Sequence, residues 1–428
     1  MLLTAFILLL ILMALGLPVM AVLALIGMSL DYLYSPMPLT RVMGEVIWQH
    51  SNEYLLLAIP LFILLGEIML RAGIAARMYA AVGQWISWLP GGLMHTNVGT
   101  SALFAATSGS SVATAATIGT VALPEIERHG YNERLFLGSL AAGGTLGILI
   151  PPSINMILYG ALTDTSVPQL YAAGIIPGII MAGLFSMAII VACKWNPRLQ
   201  GNPVKTDWQR RFSALPDLLI PLVLFIIIVG SIYAGFATPT EAAALGVVAA
   251  FILAAANRQL NMPMLARCIE GTLRTTGMTL IIIFVAYYLN FVLASIGFVS
   301  VVNQAIAALA WPPLLIMLAL IVMYVLMGMF MDTFAVMVLT IPLVTPIVVS
   351  LGYDPVWFGI LMMILCETAL ITPPIGMVCF VVQGVRKSGS LSDVFIGITP
   401  FLSVLFLMMA LLLAFPSIAL FLPELLYR

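Results

Sequence analysis

Long apolar stretches without a basic side chain recur along the chain and constrain its fold more than any other feature. No Lys or Arg occurs between residues 78 and 127, 135 and 193, or 275 and 385. The chain is 63% hydrophobic and 8% charged, whereas soluble domains carry about 25% charged residues. We therefore predict an all-α polytopic protein of the lipid bilayer. The net charge of -1 offers no basic face, so no nucleic-acid partner is expected.

The apolar runs define the candidate spans, since a helix needs about 20 apolar residues to cross a bilayer. They lie at about 3–30, 54–72, 93–126, 135–163, 166–193, 217–236, 239–256, 276–300, 312–349, 355–384 and 396–422. The first run is too long for a signal peptide, and the first basic residue is Arg41. We interpret it as a single transmembrane helix.

Basic residues set the predicted orientation, because short cytoplasmic loops retain Lys and Arg. The basic connectors contain Lys194, Arg198, Lys205, Arg210 and Arg211, then Arg258, Arg267 and Arg274, and finally Arg386 and Lys387. Four basic residues between Arg41 and these connectors are Arg71, Arg77, Arg128 and Arg134. They share the cytoplasmic side only if 93–126 is a re-entrant hairpin. The same reasoning makes 312–349 a second hairpin that enters from the periplasm, and it places the N-terminus in the cytoplasm and the C-terminus in the periplasm.

An internal repeat supports the two hairpins independently. At an offset of 222 residues the following pairs coincide: Pro124 with Pro346, Gly130 with Gly352, Tyr131 with Tyr353, Phe136 with Phe358, and Pro151-Pro152 with Pro373-Pro374. Five spans separate the hairpins, and an odd number of crossings inverts the second copy. Inverted repeats with broken helices are typical of secondary transporters.

Each repeat combines a polar hairpin tip, at 106–111 or 328–333, with a proline-broken helix, at 147–153 or 372–374. Paired prolines remove amide donors and free carbonyls, which membranes tolerate only where the backbone is buried or lines a cavity. A packing kink explains one proline pair alone, but two pairs in matching places argue against it. Free carbonyls and hydroxyls suit a hard cation, and the helix starts at the tips suit an anion.

Three acidic residues fall within predicted spans. Asp332 is expected to be functional, because an intramembrane carboxylate costs roughly 2.5–3.5 kcal/mol on insertion scales; capping the helix that follows is compatible with this role. Glu367 is expected to orient Thr368 or Thr372. Glu67 is expected to meet a neighbouring subunit or Arg71 one turn later.

No pattern indicates an enzyme. The four cysteines, at 193, 268, 366 and 379, form no CxxC and have no His at metal spacing, so neither a disulfide nor a cofactor is predicted. The segment 238–241 fits a helix-capping box. A channel or a structural scaffold leaves the doubled tip-and-break pattern unexplained.

Four blocks resemble the large membrane subunit of tripartite ATP-independent periplasmic (TRAP) transporters. They are SGSSVATAATIG (108–119), GILIPPSINMILYG (147–160), FATPTEAAALG (236–246) and ETALITPPIGM (367–377), and the match covers essentially the whole chain. The resemblance implies a sodium-coupled elevator-type symporter of the bacterial inner membrane that imports an organic acid anion, such as a dicarboxylate, sialic acid or another sugar acid. It also implies two partners, a small four-helix membrane subunit and a periplasmic substrate-binding protein. No small-subunit segment precedes residue 1, so we expect a separate chain.

The resemblance, combined with the tip-and-break pattern, suggests two sodium sites. The first would use Ser108, Ser110, Gly147, Ile150 and Pro152. The second would use Gly328, Asp332, Thr333, Thr368 and Thr372. Sodium is the only metal expected. Substrate contacts are assigned to Gly109, Ser111, Thr145, Ser153 and Asn155.

The predicted organisation has four parts: 1–53, a scaffold helix and periplasmic connector; 54–193, repeat 1; 194–275, basic cytoplasmic loops and a scaffold helix pair; and 276–428, repeat 2. Repeat 1 holds the hairpin 93–126 and the broken helix 135–163. Repeat 2 holds the hairpin 312–349, the broken helix 355–384 and the last helix 396–422. The hairpins and broken helices would move against a scaffold that includes 166–193 and 396–422. The alternative is a stand-alone sodium/dicarboxylate elevator carrier without a binding protein.

Overall fold

The computed structural model describes residues 2–204, 206–298, 300–302, 304, 311–331 and 333–427. Its regular structure is helical, and no strand occurs in these ranges. Eight helical segments within them are long and apolar enough to cross a membrane. The prediction of an all-α polytopic membrane protein is confirmed at this level, while the inversion of the two repeats stays a prediction.

The first half of the chain contains eleven of the described α-helices. They are α1 (Leu2–Ala14), α2 (Val19–Tyr34), α3 (Met43–Ser51), α4 (Ala58–Arg71), α5 (Ile74–Ile86), α6 (Leu93–Ser108), α7 (Ser111–Ala122), α8 (Pro124–His129), α9 (Glu133–Leu149), α10 (Ile154–Thr163) and α11 (Val167–Trp195). Short 3-10 turns lie at Leu39–Val42, Tyr54–Leu57 and Pro197–Leu199.

The second half continues with ten more described helices. They are α12 (Trp208–Ser213), α13 (Leu215–Tyr233), α14 (Pro239–Ala256), α15 (Met262–Ser295), α16 (Pro313–Gly328), α17 (Thr333–Ser350), α18 (Pro355–Ile371), α19 (Met377–Arg386), α20 (Leu391–Ala414) and α21 (Ser417–Leu426).

Helix pairs lie where the sequence predicts the two hairpins, and both predicted broken helices are divided at their prolines, while the re-entrant placement in the membrane stays a prediction. Helices α6 and α7 contact each other, as do α16 and α17. The first broken helix is α9 followed by α10, and the second is α18 followed by α19. Each break contains one cis peptide bond, Pro151-Pro152 or Pro373-Pro374. The capping box predicted at Thr238 is present, with Glu241 at the third helical position.

The prediction of one transmembrane helix over 3–30 is wrong. The run is divided into α1 and α2 around Gly16, which has a φ of +67°, and Pro18. The Thr4 hydroxyl lies 2.6 Å from the Tyr34 hydroxyl, so the beginning of α1 meets the end of α2. The two helices therefore form an antiparallel hairpin in place of one continuous helix, while the side of the membrane on which the N-terminus lies stays a prediction.

Three helix assignments also differ from the sequence prediction. The helices α3 and α5 lie in segments that show no apolar run, and α15 starts at Met262, well before the predicted 276. These segments place charged residues such as Glu45, Arg77 and Glu270 on helices that also bury apolar positions. Their mixed composition explains why a search for continuous apolar runs misses them.

The helix α9 lies at the centre of the packing and contacts α6, α7, α11, α18 and α20. Its closest approach is to α20, where a Cβ added at Gly138 would overlap the Gly397 carbonyl. Arg386 binds Glu133 at 2.6 Å and Arg134 binds Asp393 at 2.9 Å, so ion pairs link the ends of α9, α19 and α20. Both α11 and α20 pack against the broken helices, which is unexpected for the scaffold role assigned to 166–193 and 396–422.

Candidate functional site

A cavity of about 710 Å³ brings parts of both repeats together. One wall is formed by the first hairpin tip and the beginning of α10, and another by the beginnings of α17 and α19 with Leu370. The remaining wall comes from α2, α4 and α15. Six of the predicted site residues line the cavity: Ser108, Gly109, Ser110, Ser111, Asn155 and Thr333.

The first tip is shaped by its glycine and by a serine cap. Gly109 ends α6 with a φ of +59°, a conformation that glycine adopts without strain. A Cβ there would lie 2.9 Å from the Pro152 carbonyl oxygen. The Ser110 hydroxyl accepts the Ala113 amide at 3.4 Å and so caps α7. The tip therefore touches the first break directly.

The first break leaves two carbonyls without helical donors. Residues 151 and 152 are prolines, so the Gly147 and Ile148 carbonyls lose the amides that would pair with them in a continuous helix. A Cβ at Gly147 would lie 2.8 Å from the Ser111 nitrogen, so only glycine fits against the tip. The Ser111 hydroxyl donates to the Thr145 carbonyl at 2.9 Å, which fastens α7 to α9.

The second break has the same backbone chemistry with fewer free hydroxyls. The prolines at 373 and 374 remove the helical donors of the Ala369 and Leu370 carbonyls, and the Thr372 amide donates to Ala369 at 3.4 Å. The Thr372 hydroxyl donates to the Thr368 carbonyl at 2.5 Å, and the Thr368 hydroxyl donates to Ile364 at 2.8 Å. These side chains bond to their own helix.

The second tip packs on the second break. A Cβ at Gly328 would overlap the Ala369 side chain. Thr333 begins α17, is 5% exposed, and its hydroxyl has no hydrogen-bond partner among the described residues. Asp332 lies outside the described residues, so its predicted role stays a prediction.

Five helices begin at the cavity wall. Their first residues are Val19, Ser111, Ile154, Thr333 and Met377, and all of them line the cavity. The first amides of a helix have no carbonyl partner within the helix and the helix dipole is positive there, so each such end attracts an anion. Asn155 is 4% exposed, and its amide nitrogen has no hydrogen-bond partner among the residues that the structure describes. Among the described lining residues there is no Lys, Arg or His.

Glu67 supplies a charged side chain to the cavity wall from α4. It forms an ion pair with Arg71, as the sequence predicts for one of its two alternatives. The adjacent Gly66 packs on the first tip, since a Cβ there would lie 3.0 Å from the Ser108 carbonyl oxygen. The position of Glu67 on the cavity was not predicted. An acidic residue inside the apolar run 54–72 is the signal that pointed towards it.

Glu367 lies outside the cavity. It is 0% exposed, and its carboxyl group interacts with the backbone of Leu149. The prediction that it orients Thr368 or Thr372 is wrong, because both hydroxyls donate to backbone carbonyls instead.

Eight other predicted site residues do not line the cavity. They are Thr145, Gly147, Ile150, Pro152, Ser153, Gly328, Thr368 and Thr372. Most of them belong to the two breaks, whose oxygens are carbonyls and hydroxyls of the kind that hard cations prefer. The individual sodium and substrate roles stay predictions.

Comparison with known proteins shows the family to which the sequence is similar. Residues 6–418 match the model of the family described as the DctM component of the tripartite ATP-independent periplasmic transporter. The C4-dicarboxylate TRAP transporter large permease protein DctM of Vibrio cholerae is 32% identical, over 98% of this chain and 97% of the relative. The ectoine TRAP transporter large permease protein TeaC of Halomonas elongata is 33% identical, over 87% of each chain.

The fold resembles that of a solved transporter with a very different sequence. The YdaH transporter of Alcanivorax borkumensis superposes with a TM-score of 0.64 and 15% identity, covering 89% of this chain and 88% of that one. At that identity the likeness concerns the fold alone.

Proposed function

The chain belongs to the DctM family of large permease subunits of tripartite ATP-independent periplasmic transporters, and on that premise we propose that it is a sodium-coupled importer of an organic acid anion. It works as a transporter subunit and not as an enzyme. In the proposed cycle a periplasmic binding protein delivers the anion, and a small four-helix membrane subunit supports the permease in the bacterial inner membrane.

The observation that carries the proposal is the convergence of five helix N-termini on one cavity that brings together both repeats. An organic anion in this cavity meets no cationic side chain among the described lining residues, so the helix ends and the Asn155 amide would supply the favourable potential. Relatives whose names specify a C4-dicarboxylate, ectoine or sialic acid support an organic acid as the substrate class.

Sodium completes the charge balance in this proposal. Gly147 packs on the first tip, and Ile148 and Leu370 line the cavity together with residues of both tips, so a cation bound at their freed carbonyls would offset the negative charge of the substrate. Coupling arises if sodium and substrate both favour the closed state that moves, because a ligand indifferent to the state shifts nothing.

The moving unit in this proposal contains both hairpins, both broken helices, α11 and α20. The packing of α11 and α20 on α9 supports including them. The scaffold comprises α1 to α4 and α13 to α15. Basic residues place the α4 end at Arg71 and the start of α15 in the cytoplasm. The wall formed by Glu67 and Thr275 then lies in the cytoplasmic half, so the cavity is on the inward side.

The N-terminal hairpin changes the proposed orientation of the chain start. If Tyr34 lies towards the periplasm, its contact with Thr4 brings the start of α1 to the periplasmic side as well. The C-terminus stays periplasmic, because α20 crosses from the cytoplasmic ion pairs of Arg386.

The test is uptake by proteoliposomes that contain the chain, its small subunit and its binding protein. Radiolabelled succinate, sialic acid and ectoine would be offered with and without an inward sodium gradient. We expect accumulation of one of them only with sodium, and uptake driven by ATP or protons without sodium would refute the coupling.

A stand-alone sodium/dicarboxylate carrier without a binding protein is the second candidate. Omitting the binding protein and the small subunit separates the two. Full uptake by the chain alone supports the stand-alone carrier.

A further inference from the structure

A second cavity, of about 620 Å³, lies between the proposed scaffold and the moving unit. His50, Glu53 and Tyr287 line it from the scaffold, and Ala161 and Thr345 line it from α10 and α17. The end of α15 and the connector after α3 place this cavity on the predicted periplasmic side, opposite the inward cavity.

Tyr287 is held in place by scaffold residues. Its ring stacks on His50 with the centroids 3.9 Å apart and an angle of 24° between the planes. His50 is itself fixed to α3, since its Nδ1 lies 2.8 Å from the Val46 carbonyl oxygen. The Tyr287 hydroxyl donates to Glu53 Oε2 at 3.2 Å. The side chain is 6% exposed, so its position is well defined.

The same hydroxyl also reaches across to the moving unit. It lies 3.2 Å from the Ala161 carbonyl oxygen, near the end of α10. In a continuous helix that carbonyl would accept the Thr165 amide, but this amide donates to Gly160 at 3.1 Å. Tyr287 therefore provides a donor to a carbonyl that the helix end leaves without one.

We propose that Tyr287 is a latch that holds the moving unit against the scaffold on the predicted periplasmic side. While its hydroxyl binds Ala161, the end of α10 stays docked on α15. Movement of α10 breaks this bond, and the hydroxyl, which stays protonated, can then donate its hydrogen bond to the Glu53 carboxylate alone. Glu53 thus provides an alternative acceptor that lowers the cost of release. This inference rests on the proposed elevator movement.

Tyr287→Phe removes the hydroxyl and keeps the ring that stacks on His50. The matched control is Tyr288→Phe on the next residue of α15. Tyr288 is buried, and its hydroxyl has no hydrogen-bond partner among the described residues, so both variants lose one buried hydroxyl but only the first loses the contact with α10.

The readout is the distance between spin labels on introduced cysteines at Trp48, on the scaffold, and Ser166, after α10, in the full chain in nanodiscs with and without sodium. The four native cysteines are buried, which favours selective labelling of the introduced pair. We expect two distance populations, and a roughly three- to tenfold shift in their ratio away from the docked one in Tyr287→Phe, the size of effect that one hydrogen bond produces. Tyr288→Phe should keep the wild-type ratio.

Two populations with the same ratio in Tyr287→Phe as in the wild type would overturn the latch and leave the elevator proposal standing. An equal shift in both variants would also overturn it, because a general loosening of α15 would then be the cause. A single distance in the wild type and in Tyr287→Phe, with and without sodium, would count against the movement itself and therefore against the proposed function.

Discussion

The two hairpins share one design but occupy different surroundings. Hairpin 1 consists of α6 and α7, and hairpin 2 consists of α16 and α17. The first arm of hairpin 1 is α6, in which 13 of 16 residues are buried. The first arm of hairpin 2 is α16, in which only 5 of 16 residues are buried. The buried face of α6 carries polar groups, and Asn97 joins Ser139 at 2.9 Å and the Tyr79 hydroxyl at 2.9 Å. The exposed face of α16 consists of side chains such as Leu318 and Val322. Polar groups thus occur in the arm that is enclosed by protein, and apolar ones on the face of the arm that is open to lipid.

The difference extends to the tips. The first tip has three serines within hydrogen-bonding distance of backbone or hydroxyl groups, through the contacts of Ser108 with Thr114, Ser110 with Ala113, and Ser111 with Thr145. The second tip offers Asp332 and Thr333 between apolar residues. If both tips bind sodium, the first tip binds it with the dipoles of neutral groups, whereas the second tip binds it with the negative charge of the Asp332 carboxylate. The two sites should then respond differently to substitution.

The largest effect is expected from Asp332→Asn. This variant keeps the shape and the capping ability of the side chain but removes the charge that a bound cation would neutralise. We expect roughly tenfold or greater loss of uptake with a weakened sodium dependence, because sodium loses the charged ligand whose burial, at about 2.5–3.5 kcal/mol, its binding would offset in the wild type. Asp332→Ala should be at least as severe. Sodium titrations of uptake measure the effect, and normal transport by Asp332→Asn would leave Asp332 with a capping role only.

A somewhat smaller effect is expected from Gly147→Ala at the first break. The added methyl would lie 2.8 Å from the backbone of the tip at Ser110 and Ser111, and overpacking of this kind costs about 1–3 kcal/mol. We expect uptake to fall roughly tenfold and the thermal midpoint to drop. By the 222-residue offset, Ala369 is the position of repeat 2 that corresponds to Gly147. Because repeat 1 has glycine at this position, Ala369→Gly should transport nearly normally.

The control for Gly147→Ala is Gly183→Ala in α11, where an added Cβ meets no atom within 4 Å. Similar losses in both variants would show that helix α11 is as tightly constrained as the break, and the close fit of tip and break would not explain the result.

The parts that the sequence predicts correctly are those with local causes. A proline has no amide donor in any surroundings, so both breaks could be placed from residues 151, 152, 373 and 374 alone. The tips follow from glycine and hydroxyl residues between apolar arms. The capping box at Thr238 is local in the same sense.

The parts that the sequence misses depend on distant contacts. The hydropathy of 3–30 is uniform, so it does not show that the chain reverses between α1 and α2, although Gly16 and Pro18 mark the position in retrospect. The role of Glu67 in the cavity wall requires that α4 pack on a tip some 40 residues later. Gly138 and Gly397 each indicate a close approach, but neither identifies its partner.

The smallest effect on uptake is expected where the two hairpins differ most, along their first arms. Phe104 of α6 is 0% exposed and Leu318 of α16 is 43% exposed, and neither lines the cavity. Phe104→Ala leaves a void inside the protein and should cost about 3–5 kcal/mol of stability. Leu318→Ala removes a side chain that faces lipid, where the lipid tails replace its contacts, so the cost should stay within about 0.5 kcal/mol.

Thermal midpoints in nanodiscs compare the stability of the two variants, and the residual uptake per folded protein should remain near the wild-type value in both. Equal destabilisation would mean that α16 is covered by protein in the assembled transporter, and the contrast between an enclosed arm and a lipid-facing arm would then hold only for the isolated subunit.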